Sequence, residues 1–291
     1  MNAEWAVWAV VIVACVAMLA VDLRLGPREG APLRLALTWS AGWLVVGVAV
    51  ALPVWALRGG SAAGEYVTGY AIERSLSLDN VFVFAVIFTA MAVPAALRPP
   101  ALTFGIGAAL VLRGAFIAAG AALLAVAGWI VYPLGAFLVA TGIQIARGSG
   151  HGGAGSRVLA VVGRLPLGDR PLVAALVALA LADVAFAVDS IPAVFAVTRD
   201  PLVVFAANAM ALVGLRQLYV VLEAMRSRFE YVHLGLGAVL VVVGAEMALS
   251  DLYHPPAWAS LLVVVGILVA AVAASVRVSP PSHPLPERQL P

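Results

Sequence analysis

Nine long apolar runs alternate with short polar breaks along the chain, at about residues 5–22, 35–57, 67–93, 101–126, 128–146, 171–198, 203–224, 231–250 and 257–276. Crossing the hydrocarbon of a bilayer takes roughly 20 apolar residues as helix, and the runs are of about that length or longer. The pattern predicts an all-α polytopic membrane protein in which residues 1–276 form a single transmembrane domain of about nine helices. The fourth and fifth runs are parted by little more than Gly128, so their boundary is the least distinct. The first run has no basic segment before it and is directly continued by others, which predicts that it stays in the mature protein.

Composition agrees with a bilayer as the solvent. Of 291 residues 64% are hydrophobic and 11% charged, against roughly a quarter charged in a soluble domain. Mean hydropathy is +1.06, and no stretch is suited to a soluble catalytic domain. All seventeen basic residues are arginines. With the N-terminus outside, twelve fall in cytoplasmic segments, two (Arg58 and Arg199) fall outside, and Arg74, Arg113 and Arg216 sit within runs. The positive-inside rule therefore predicts N-out and C-in, which suits an odd number of spans. The net charge of +2 follows from these arginines. No aromatic-and-basic face accompanies them, so anionic lipid head groups are the expected partners and nucleic acid is not.

The Gly-rich segment 147–170 reads as a mobile loop, and residues 277–291 as a Pro-rich cytoplasmic tail without fixed structure. The lone Cys15 offers no disulfide and no CxxC metal signal, and reads as a packing residue.

Two stretches break the apolar pattern. "AIERSLSLDNVFVF" (71–84) places Glu73 six residues before Asp79-Asn80, and "DVAFAVDSIPAVFA" (183–196) places Asp183 six before Asp189-Ser190. Each is followed by a run with one arginine inside it, Arg113 and then Arg216. This reads as a duplicated three-helix unit, about 67–146 and 171–250. The step from the third to the sixth run is odd, so the two motif helices run in opposite directions. An inverted repeat is a common transporter plan, with its site where the halves meet near the midplane.

At about 100° per residue, Glu73, Ser77 and Asn80 share one helix face, and Asp183 and Ser190 share the matching face of the partner helix. Asp79 and Asp189 lie about 100° or more around. Either each motif helix lines a path on two sides, or it unwinds locally. Pro192 makes unwinding plausible beside Asp189 in the sixth run.

An ionised Asp or Arg at a helix centre costs about 2.5–3.5 kcal/mol. Glu73, Asp79, Asp183 and Asp189 set against Arg113 and Arg216 leave a charge of −2, which one divalent cation would balance; counting Arg74 leaves −1. The candidate ligands are carboxylate, amide, hydroxyl and carbonyl oxygens. The four histidines, His151, His233, His254 and His283, fall in loops or at run ends. An all-oxygen set suits Mg, Ca or Mn and disfavours Zn or Cu(I). A purely architectural reading stays open: Asp79–Arg113 and Asp189–Arg216 as buried ion pairs, with Asn80, Ser190 and Asn208 as interhelical hydrogen-bonding groups. Asp22, Glu65, Glu223, Glu230, Glu246 and Asp251 lie near run ends, where solvated or interfacial roles are expected.

"ERSLSLDNVFVF" (73–84), "LVLRG" (110–114) and "DVAFAVDSIPAVFAVTRDPLVVFAANAMALVGLRQLY" (183–219) resemble the TerC/Alx family of bacterial integral membrane proteins. The resemblance covers about residues 16–276. It implies a LysE-like fold with inverted repeats and efflux of manganese, with calcium as a second candidate, across the cytoplasmic membrane, in a family associated with tellurium resistance. The residues that match the family's acidic motifs are Glu73, Asp79, Asn80, Asp183, Asp189 and Ser190, with Asn208 and Arg216 in the block that follows. One departure is Ala180, where family members usually carry a further Glu.

The resulting expectation is a secondary transporter exporting a hard divalent cation, with Asp79 and Asp189 as central ligands and Glu73 and Asp183 as ligands or proton carriers. Asn80 and Ser190 would supply neutral oxygens, with Arg113, Arg216 and Asn208 in support. No tightly bound cofactor is expected. The absence of a P-loop argues against ATP drive and leaves protons as the natural coupling ion. Two other classes compete: a membrane scaffold or assembly factor for stress or secretion machinery, and an exporter of a small organic solute. An enzyme is not expected, since no nucleophile–base pairing and no H-E-x-x-H helix occurs.

Overall fold

The computed structural model describes residues 2–27, 31–147, 158–164, 171–225, 232–252 and 255–278. Most of the Gly-rich loop and the tail beyond residue 278 lie outside the described residues, as does the side chain of Asp79. The chain forms α1 (Asn2–Leu25), α2 (Leu33–Ala49), α3 (Ala51–Arg58), α4 (Gly60–Ala90), α5 (Arg98–Val126), α6 (Val131–Ala146), α7 (Pro171–Phe195), α8 (Pro201–Leu212), α9 (Leu215–Met225), α10 (Val232–Ala248) and α11 (Ala257–Val278). No strand occurs among the described residues. Uninterrupted helix is what a bilayer imposes on apolar chain, since the backbone can find its hydrogen bonds only within itself. Large apolar side chains such as Val45, Phe104, Val111 and Leu262 face outward, as lipid-facing positions do. The protein is an all-helical, multi-pass membrane protein.

Among the described residues six helical stretches are long and apolar enough to cross a membrane, or seven if α8 and α9 form one bent span. Two of the nine runs fall short of that measure for separate reasons. Helix α4 is 31 residues long but carries Glu65, Glu73, Arg74 and Asp79, while α10 is apolar but only 17 residues long.

Helix α4 is the centre of the bundle. Tyr66, Tyr70, Ile72, Val81, Phe84, Ile87 and Phe88 along it are all buried, and it packs against α3, α7, α8, α9 and α11. Helix α5 closes over α7 and α8. Helices α6 and α10 meet backbone to backbone. A Cβ built on Gly142 would lie 2.6 Å from Gly237 O, and one on Gly244 would lie 2.8 Å from Gly135 O. Small residues spaced a heptad apart on both helices allow this approach.

Local unwinding occurs in a different span from the one the prolines suggest. Helix α7 runs unbroken through Pro192 to Phe195. The missing donor and the clash with the Val188 carbonyl fall in the turn before the proline, and the helical run continues through them. The break falls instead between α8 and α9, which meet at 42° across Val213 and Gly214. Gly214 has φ +79°, and a Cβ there would stand 3.0 Å from the Trp43 ring; both requirements select glycine. The freed carbonyls of Ala211 and Val213 each accept from Arg74 Nη1 at 2.9 Å.

Candidate cation site

Four helices converge on Arg113. Helix α4 contributes Glu73 and, two turns on and on the same face, Asn80; α5 contributes Arg113; α7 contributes Asp183; and α8 contributes Asn208. All five side chains are buried, with Glu73 at 0% and Arg113 at 1% exposure. The local reason is periodicity: each polar residue stands on the face that its apolar helix turns toward its neighbours, where lipid is excluded.

Arg113 Nη1 forms an ion pair with Glu73 Oε1 and donates to Asn208 Oδ1 at 2.8 Å. Its Nε and Nη2 each lie 3.4 Å from Asp183 Oδ1. Asn80 accepts from Nη2 at 3.0 Å and donates to Leu76 O at 3.2 Å when its amide is oriented by those partners. Asn208 is itself held by donation to Val204 O at 3.4 Å. One guanidinium thus bridges a carboxylate from each of the two motifs. Two carboxylates against one arginine leave this cluster at −1.

Two buried carboxylate oxygens here, Glu73 Oε2 and Asp183 Oδ2, have no hydrogen-bond partner among the described residues, and neither does Ser190 Oγ farther along α7. Ser190 stands on the Asp183 face of α7, two turns along. Buried oxygens left unsatisfied beside a net negative charge suit a cation. Among the described residues no three carboxylate, imidazole or thiolate side chains converge as a ready metal cage. The Asp79 side chain is outside that description, and Asp189 is half-buried on the neighbouring face of α7. Ala180, one turn before Asp183, adds no oxygen.

The two arginines expected to act alike differ in their described contacts. Arg113 pairs with Glu73 and Asp183, so the anticipated pairing of Arg113 with Asp79 is not what binds it among the described side chains. Among its described contacts, Arg216 reaches the end of α1. It donates to Leu23 O at 3.1 Å, Asp22 O at 2.9 Å and Gly26 O at 3.0 Å, which closes the C-terminus of α1. Asp22, expected at a solvated end, is wholly buried there and faces Arg216, Arg74, Trp43 and the Gly214 backbone. The signal available for it was a carboxylate at the very edge of an apolar run, which does not show how the end of α1 packs.

A second polar recess lies at the opposite end of α4 from the Asp79 side. A cavity of about 270 Å³ is lined by Ser61, Glu65, Glu246, Ser250 and Ser260, where Ser260 donates to Glu246 at 2.9 Å and Ser61 to Glu65 at 3.2 Å.

The sequence model of the Integral membrane protein TerC family matches residues 58–282. A membrane protein of Myxococcus xanthus without an assigned role is 38% identical over 290 residues, covering 92% of this chain and 91% of its own. The Escherichia coli K12 protein named "Putative membrane-bound redox modulator Alx" is 38% identical over 296 residues, covering 91% of each. A membrane protein of Mycobacterium tuberculosis is 33% identical over 279 residues, covering 87% of this chain and 70% of its own. No solved structure matches.

Proposed function

Because the chain belongs to the integral membrane protein TerC family, we propose that it is a secondary transporter exporting a hard divalent cation, Mn²⁺ first and Ca²⁺ second, across the cytoplasmic membrane. The observation that carries this reading is the enclosed oxygen cluster in which Glu73 and Asp183, one from each motif, meet at a single point with acceptors left over. Carboxylate, amide and hydroxyl oxygens without imidazole or thiolate favour Mn²⁺, Ca²⁺ or Mg²⁺ over softer ions. Asp79 and Asp189, six residues from Glu73 and Asp183 and so nearly two turns along the same helices, would complete the path, and the positive-inside count orients the chain N-out and C-in. Proton exchange would supply the drive.

The inverted repeat belongs to this proposal, and the glycine contacts support it. Gly237 and Gly244 each follow Gly135 and Gly142 by 102 residues, yet Gly135 touches Gly244 and Gly142 touches Gly237. Such crossed contact is what a two-fold axis in the membrane plane produces between equivalent helices. Counting α4, α10 and the bent pair then makes nine spans.

The name of the Escherichia coli relative raises redox modulation as a second reading. This chain has one cysteine, buried in α1, so a dithiol pair within one chain is not open to it. An influence on redox state would come through metal supply. The test is uptake of Mn²⁺, Ca²⁺, Mg²⁺ and Zn²⁺ into inverted membrane vesicles, with Asp79→Asn and Asp189→Asn as comparisons. Mn²⁺-selective uptake that either substitution abolishes at unchanged protein level supports the exporter, whereas equal leak in all three leaves the acids as architecture.

A further inference from the structure

The guanidinium of Arg113 sits on the oxygen donors that a transported cation would need. Its three nitrogens reach Glu73, Asp183, Asn80 and Asn208, which are the neutral and anionic oxygens of the cluster. A guanidinium keeps its charge in proteins, so it cannot be neutralised to make way; it can only move.

The contacts are uneven. Nη1 pairs with Glu73 and donates to Asn208 at 2.8 Å, whereas both approaches to Asp183 Oδ1 are 3.4 Å, well beyond the roughly 2.7–2.9 Å of a strong charge-assisted bond. Among the described residues Glu73 Oε2 and Asp183 Oδ2 have no hydrogen-bond partner, so each carboxylate keeps one buried oxygen that Arg113 does not satisfy. Two carboxylates buried with no cation at all would be strongly disfavoured in this environment. A carrier that releases its ion must therefore compensate them while it returns, with protons taken in exchange, with a charge already present in the protein, or with both.

On the transporter reading above, we propose that Arg113 is a tethered counter-cation: it fills the site between Glu73 and Asp183 when the carrier is empty, yields the carboxylates to an arriving divalent cation, and expels that ion when it swings back. The loosely held Asp183 side is where the exchange begins. Helix α5 carries this arginine into the cluster from outside the two motif helices. The same site then holds a charge of −1 with Arg113 engaged and offers two full carboxylates when it withdraws.

This assigns Arg113 a role that a brace does not have. Removing a brace loosens a site, but removing an internal competitor tightens it. The test is equilibrium Mn²⁺ binding to the purified full chain in lipid nanodiscs, together with Mn²⁺ efflux from proteoliposomes, for the wild type, Arg113→Gln and Arg113→Lys. Arg113→Gln is expected to bind Mn²⁺ about tenfold more tightly and to release it at least tenfold more slowly. Arg113→Lys keeps a mobile charge, and is expected to bind within about threefold of the wild type with part of the efflux retained. Should the Gln variant fail to assemble, the Lys variant decides alone: folded protein that has lost Mn²⁺ binding overturns the proposal. Equal or weaker Mn²⁺ binding by folded Arg113→Gln also overturns it while leaving the exporter reading intact. If the wild type itself neither binds nor moves Mn²⁺, the exporter reading fails and the counter-cation role falls with it.

Discussion

Gly135 of α6 and Gly244 of α10 face each other so closely that a Cβ on Gly135 would lie 2.7 Å from the Gly244 carbonyl oxygen. Neither helix can retreat without losing the second contact at Gly142 and Gly237. Gly244→Ala is therefore expected to cost about 1–3 kcal/mol as an overpacked contact, seen as a lower unfolding midpoint of the protein in detergent. Gly107→Ala is the control, because nothing stands within 4 Å of a Cβ there; the gain in helix propensity should leave it neutral or slightly stabilised.

The break between α8 and α9 depends on Arg74. Its Nη1 satisfies both Ala211 O and Val213 O, and Arg74→Gln would leave one or both carbonyls without a partner. Each orphaned group costs about 1–3 kcal/mol. Hydrogen exchange should quicken at residues 211–216 in that variant while α6 and α10 keep their protection. Unchanged exchange at the break would remove Arg74 from this role.

Gly214 tests the same break from the backbone side. A side chain at φ +79° costs about 1–2 kcal/mol in the left-handed region, and Trp43 crowds the position as well. Gly214→Ala should be destabilised in thermal unfolding, and adding Trp43→Phe should recover at most the crowding part. Full recovery in the double variant would mean that backbone conformation contributes nothing.

Arg113 and Arg216 occupy matching places in the sequence, but their contacts predict different phenotypes. Arg216→Gln frees the Asp22, Leu23 and Gly26 carbonyls at the end of α1. It is expected to lower thermal stability while leaving Mn²⁺ affinity within about threefold of the wild type, a stability effect of roughly 1–3 kcal/mol. A large loss of Mn²⁺ affinity with stability unchanged would contradict the placement of Arg216 away from the cluster.

These contrasts show what pattern reading reaches and where it stops. The apolar runs foretell the helices because a bilayer leaves the backbone no alternative, and the matched spacing of Glu73 and Asp183 singles out the two carboxylates that meet at Arg113. Spacing along one helix does not say which side chain from another helix arrives beside it. Arg113 therefore bridges the two motifs, and its sequence counterpart Arg216 closes α1. Pro192 is the stronger breaker by composition, yet α7 continues through it to Phe195. Gly214, one of 27 glycines, carried little signal because its positive φ is set by Trp43 and Arg74 from α2 and α4. The burial of Asp22 likewise comes from packing at the end of α1, which hydropathy does not record.

The most direct test of the account is Mn²⁺ uptake by inverted vesicles containing the wild type, Glu73→Gln or Asp183→Asn at matched protein levels. Removing either carboxylate from the pair at Arg113 is expected to lower uptake at least tenfold, with monodisperse protein still present in the membrane. Uptake at the wild-type rate in both variants would contradict the assignment of this cluster as the cation site.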